Sequence, residues 1–216
     1  MPPLHQFHQA KLSNPDTERP ASANIVWHAG KVSAADRAQL LRQKPATIWL
    51  TGLSGAGKST LAFALEKRLI AGNHLAFVLD GDNVRHGLNR DLGFSADDRS
   101  ENIRRIAEVA RMFNEAGVMV ITAFISPFRK DRALAREIIG AERFIETHVC
   151  TPIDVCEHRD PKGLYEKARH GKIDGFTGIS APYEAPQAPD LRIDTGRLTV
   201  EQSVAQIIQK LMPRLY

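Results

Sequence analysis

The apolar positions of this chain switch between two periods, and the switching outlines its architecture. Thr47-Ile48-Trp49-Leu50-Thr51, Leu75-Ala76-Phe77-Val78-Leu79, Val118 to Ile125 and Phe144 to Val149 are short apolar or β-branched runs of the kind buried on both faces of a parallel sheet. Arg192 to Asp194 reads as a short last strand. Between the runs the spacing becomes helical. Leu61, Ala62, Leu65 and Leu69 share a face before Gly72, and Ile103, Ile106, Ala110 and Phe113 share another between a start at Ser95 and Asp98 and a stop at Gly117. Asp131 to Ile139 predicts a further helix. Val200, Val204, Ile207, Ile208 and Leu211 trace a terminal amphipathic one, capped by Thr199 and Gln202. Ser33 caps a short helix from Ala34 to Gln43 ahead of Pro45. Strands alternating with helices predict an α/β fold, with a mainly parallel sheet, right-handed crossovers and helices on both faces.

Two stretches break the pattern. Residues 1–24 place Pro2, Pro3, Pro15 and Pro20 among polar residues and predict a disordered or loosely docked arm, with Ile25-Val26-Trp27 as an edge strand or hydrophobic plug. That leaves 25–216 as a single domain. Residues 160–189, rich in Pro, Gly and charge, read as a structureless stretch too long for an ordinary connection, which predicts a functional lid or a disordered linker, the lid being preferred.

Composition narrows the class rather than the function. The balance of 29 Lys and Arg against 25 Asp and Glu is only mildly basic, which suits an anionic ligand as well as nucleic acid, and no nucleic-acid motif accompanies it. Cys150 and Cys156 are too few for a disulfide framework, have no partners at zinc spacing and read as buried thiols of a reducing compartment. With no signal-peptide core and no run approaching the roughly 20 apolar residues of a membrane span, a soluble cytoplasmic protein is expected.

Gly52-Leu53-Ser54-Gly55-Ala56-Gly57-Lys58-Ser59 supplies the chemistry, matching G-x-x-x-x-G-K-[ST] at every position between a predicted strand and a predicted helix. Glycine lets the backbone N–H groups close around phosphate, and the helix that opens at Lys58 turns its positive end toward the same anion. Lys58 is expected to reach the β- and γ-phosphates of a nucleoside triphosphate and Ser59 to ligate Mg²⁺. The fold class is then P-loop NTPase-type, three-layered, with a lid.

Ligands of open parallel sheets bind beyond the carboxyl ends of the strands, which singles out Asp80 to Arg85 and Phe124 to Phe128. Asp80 is placed to hold Mg²⁺ beside Ser59. Asp82 is placed to orient or deprotonate an attacking hydroxyl, a helix N-cap being the alternative for it. Arginines 85, 99, 104 and 105 provide bidentate anion ligands, although a solvated helix face accounts for Arg104 and Arg105 equally well. Phe94 and Phe176 could sandwich a purine, against core positions as the plainer alternative.

Taken together, these strings resemble those of the adenylylsulfate kinases. Besides the loop through Thr60 they include Leu79-Asp80-Gly81-Asp82-Asn83-Val84-Arg85-His86-Gly87-Leu88, Asp91 to Ser95, Glu101 to Arg105, Thr122 to Pro127, Asp160 to Tyr165, and Phe176 to Ile179 before Pro182-Tyr183-Glu184. The resemblance implies transfer of the ATP γ-phosphoryl group to the 3′-hydroxyl of adenosine 5′-phosphosulfate, in sulfate activation. ATP would use Gly52, Leu53, Ser54, Gly55, Ala56, Gly57, Lys58, Ser59 and Thr60. Asp82, Arg85, Phe94, Arg99, Asn102, Ile125 and Ser126 would line the acceptor site, with Lys162 and Phe176 from the lid. Mg²⁺ and a homodimer are also implied, and association with an ATP sulfurylase is left open. Ser180-Ala181 departs from the acidic residues common there. The resemblance carries a phosphoserine role to Ser126, but no His, Lys or acid flanks it in Phe124-Ile125-Ser126-Pro127-Phe128, which favours positioning of the acceptor. Rival small-molecule kinases of the shikimate, gluconate or nucleotide type would share the loop but not this pocket. A GTP switch would need an N-K-x-D string, which is absent.

Overall fold

A computed structural model describes residues 24–26, 28 and 30–216; most of the expected arm, with Trp27, lies outside the described residues. The chain separates into Met1–Lys31 and a compact unit Val32–Tyr216, which holds every helix and strand among the described residues. Ile25 and Val26 are exposed and belong to no strand, so they do not supply the expected edge strand.

In chain order the elements are α1 (Ala34–Leu41), β1 (Thr47–Thr51), α2 (Lys58–Ala71), β2 (Ala76–Asp80), α3 (Ala96–Glu115), β3 (Met119–Ala123), α4 (Arg129–Ile139), β4 (Phe144–Val149), α5 (Ile153–Arg159), α6 (Leu164–Arg169), β5 (Leu191–Ile193) and α7 (Val200–Leu211). The five strands form one parallel sheet in the order β2-β3-β1-β4-β5. Alternation along the central β1 divides the core. Ile48 and Leu50 pack with Leu61, Leu65 and Leu69 of α2 and Ile207 and Leu211 of α7, whereas Trp49 faces Ile103, Ile106 and Ala110 of α3 and Ala135 and Ile138 of α4. Helices therefore cover both faces, and all five residues of β1 are buried.

Three expectations need correcting. Phe77 of β2 is 47% exposed rather than buried, because β2 is an edge strand and the ring is covered only by stacking on Phe113, 5.3 Å away. Helix α1 stops at Leu41, since Arg42 turns left-handed and Gln43 enters the core, where its amide donates to the carbonyls of Leu75 and Gly117 and accepts from the Leu75 N–H. The stretch 160–189 is not structureless. Asp160 accepts from the amides of Leu164 and Glu166, and α6 buries Tyr165 and Ala168 one turn apart against the core.

Candidate active site

Beyond the carboxyl end of β1 the chain runs directly into the phosphate loop, which shares a cavity of about 830 Å³ with the ends of β2 and β3 and with the lid. Gly57 closes the loop as the N-cap of α2 at φ 92°, a left-handed conformation costly for any other residue, and a Cβ there would press on Thr195. A Cβ on Gly52 would collide with the Val149 carbonyl. Ser54, Gly55, Gly57, Lys58, Ser59 and Thr60 line the cavity, while Ala56 is turned into the core.

The side chain of Lys58 is buried, its ammonium donating to the carbonyls of Gly52 at 2.9 Å and Leu53 at 2.7 Å. Burial pushes its pKa down to about 8, against the opposing pull of Cys156 and the nearby Asp80. The Ser59 hydroxyl donates to Asp80 Oδ2 at 2.7 Å, and the other oxygen of Asp80 accepts from the Asp82 N–H. Asp80 and Ser59 thus stand in direct contact. Asp82 is exposed and forms an ion pair with Lys162 of the lid; its side chain caps no helix.

The same cavity is lined by Arg85, Phe94, Arg99, Asn102, Ile125, Ser126 and Phe176. Arg85 donates to the carbonyls of Leu92 and Gly93 and lies 4.4 Å from the centre of the Phe94 ring. Arg99 donates to the carbonyls of Phe94 and Gly175 and to the Thr177 hydroxyl. Among the described residues neither guanidinium forms an ion pair with a carboxylate; burial lowers the pKa of both, and the charge of Arg85 lowers that of Arg99 further. Both cations are held mainly by backbone carbonyls, and carboxylates act on Arg85 only from a distance, through Asp98 and Asp82, which leaves both guanidiniums free of a direct ion pair. Arg104 and Arg105 differ: they pair with Glu101, and Arg105 also with Asp91, so the solvated helix face accounts for them. Phe94 is 70% exposed, whereas Phe176 is buried edge-on against Tyr165. Asn102 is held by the Asn89 amide.

Ser126 is buried at φ 39°, and its hydroxyl accepts from Trp49 Nε1 at 3.2 Å. Trp49, Thr51 and Arg132 around this turn were not singled out from the sequence as site residues, and Tyr183 entered only within the string Pro182-Tyr183-Glu184. Arg159, which donates twice to Thr195, and Leu198 were not singled out either, and both line the cavity. Thr195 follows β5, so the rule that ligands sit beyond strand ends could have found it. Cys156 is buried as expected and Cys150 only partly.

Residues 44–194 match the sequence profile of a family described as Adenylylsulphate kinase. The chain belongs to that family. It is an ATP-dependent phosphotransferase of the P-loop fold. An adenylyl-sulfate kinase from Clostridium acetobutylicum is 52% identical over 190 residues, covering 88% of this chain and 94% of the relative. The structure of the Mycobacterium tuberculosis APS kinase in complex with AMPPNP and APS superposes with a TM-score of 0.74 at 48% identity, over 79% of this chain and 99% of that one. A hexameric APS kinase from Thiobacillus denitrificans gives 0.62 at 35% identity, over 83% of this chain and 31% of that one. Among the described residues of this adenylylsulfate kinase family member no helix is long and apolar enough to cross a membrane.

Proposed function

We propose that the cavity carries out the adenylyl-sulfate kinase reaction, with ATP on the phosphate loop and adenosine 5′-phosphosulfate between Arg85, Arg99, Asn102 and the turn at Ser126. One observation carries this placement. A single cavity joins the loop to two arginines that form no ion pair with a carboxylate among the described residues, and an anionic acceptor is what such a pair is suited to receive. Phe94 and Phe176 offer ring faces for the adenine in the same cavity.

Phosphoryl transfer passes through a loose transition state, so positioning and charge stabilisation are the protein's tasks. Lys58 and the amides at the start of α2 offset charge on the phosphates. Asp82 orients the attacking hydroxyl or takes its proton. The pair between Asp82 and Lys162 lies at the surface, where such pairs contribute only about 0–1 kcal/mol. A latch that weak lets the lid open for substrate and still exclude water once closed.

Ser59 and Asp80 fit Mg²⁺, because both offer hard oxygens and already meet at 2.7 Å. Bound with ATP, the ion would neutralise phosphate charge. A cytoplasmic homodimer is part of the proposal, consistent with the oligomeric relative, and light scattering on the purified chain tests it. The reaction itself is tested by coupled ADP release with adenylylsulfate against adenosine 5′-monophosphate as acceptor. Strong preference for adenylylsulfate is expected; equal rates would refute the acceptor assignment.

A further inference from the structure

We infer that Arg132 is a positioning residue that holds the acceptor wall in shape and joins it to the chain returning from the lid. The inference rests on the placement of the acceptor against Ser126. Among the described residues Arg42, Asn73 and Ser126 are non-glycine residues well inside the left-handed region, and of these three Ser126 lines the cavity. A serine stays in such a conformation where its surroundings over-determine it. Arg132, whose side chain is 2% exposed, supplies much of that determination from α4. Nη1 donates to the Ser126 carbonyl at 2.7 Å, Nη2 to the Glu184 carbonyl at 2.6 Å, and Nε to Glu146 of β4 at 2.8 Å. The Glu184 N–H donates in return to the Pro127 carbonyl, and the Thr51 hydroxyl holds the Ile125 carbonyl at 2.8 Å while meeting the Tyr183 hydroxyl.

None of Arg132, Glu146, Glu184, Thr51 or Tyr183 lines the cavity, whereas Ile125, Ser126 and Pro127 all do. The network therefore acts on the acceptor indirectly, through the turn and through the lid segment that carries Tyr183 and Glu184. A planar guanidinium can serve three directions at once, and an ammonium in the same place cannot reach all of them. Lysine at this position would keep the charge beside Glu146 and release one or both carbonyls.

The test is steady-state kinetics of the full chain carrying Arg132→Lys or Thr51→Val, with thermal melting as the check on folding and Arg85→Ala as the control for acceptor placement. A misplacement of roughly 1 Å can cost about a hundredfold in rate. The expected result for Arg132→Lys is a fall of about tenfold to a hundredfold in kcat/KM for adenylylsulfate, with KM for ATP within about twofold of the original. Thr51→Val should show a smaller loss of the same selectivity, and it decides the matter if the lysine variant does not fold. A folded variant with unchanged adenylylsulfate kinetics, or with equal losses for both substrates, overturns the inference. If Arg85→Ala also leaves adenylylsulfate kinetics unchanged, the acceptor placement itself has failed.

Discussion

Arg99 Nη1 donates to Thr177 Oγ1 at 2.7 Å, tying the first turn of α3 to the lid. The same guanidinium is proposed to grip the acceptor, so it serves both closure and binding. A charged hydrogen bond contributes roughly 1.5–3 kcal/mol, and Arg99→Ala should weaken use of adenylylsulfate about tenfold to more than a hundredfold. Thr177→Val removes one of the two contacts of Arg99 with the lid and leaves the donation to the Gly175 carbonyl. It should cost less and speed hydrogen exchange of the lid amides. If ATP affinity falls instead in Arg99→Ala, the residue serves the other substrate.

The contact between Ser59 and Asp80 leads to a metal prediction. Asp80→Asn can keep its one oxygen on the Asp82 N–H and turn its amide N–H toward the Ser59 hydroxyl, but it loses the charge that a divalent cation needs. The half-saturating concentration of Mg²⁺ in the kinase assay should rise about tenfold or more, with little change in melting temperature. An unchanged Mg²⁺ requirement would remove Asp80 from the metal site.

Lys58 should make ATP binding depend on pH in one direction. Burial holds its pKa at about 8 in the free protein, and phosphate beside the ammonium raises it in the complex. Below pH 8 both states are protonated. Above it the free protein loses a proton that the complex keeps, so binding takes up a proton and affinity falls as pH rises. Calorimetry in two buffers of different ionisation heat should show this uptake near pH 9 and not near pH 7. Lys58→Ala should abolish the effect and cut turnover by roughly three orders of magnitude or more, in line with an essential transition-state charge. Flat affinity across that range would contradict the mechanism.

What the sequence revealed and what it hid differ in physical range. β1, the loop and α2 are local patterns, and the Thr199 and Gln202 capping box forms as its spacing requires. Phe77 was misjudged because lying at a sheet edge is decided by strand order, which no local window contains. Helix α6 was hidden because a six-residue helix shows only two buried positions. Arg85 and Arg99 were legible by type, but their partners are largely backbone carbonyls, which leave no mark in a sequence. Arg132 sits among Arg129, Lys130 and Arg136 and reads as one more surface charge until α4 is rotated onto the sheet.

Ser126 poses the last question, whether the phosphoryl group passes through its hydroxyl. A serine nucleophile needs a base to take its proton. The contact made by Ser126 Oγ is with the indole N–H of Trp49, which can only donate, and Arg132 is engaged with the carbonyl of the same residue rather than with its hydroxyl. The loop already aligns donor and acceptor for one in-line step, so the expected role of Ser126 is to shape and hydrogen-bond the acceptor site. With ATP chiral at the γ-phosphorus, a single direct transfer inverts configuration, whereas a relay through phosphoserine makes two displacements and retains it. Ser126→Ala should keep measurable turnover with a raised KM for adenylylsulfate, because only a positioning contact is lost. Inversion together with residual activity is the expected pair of results. Retention, or complete loss of turnover in a well-folded Ser126→Ala, would instead place the hydroxyl in the covalent path.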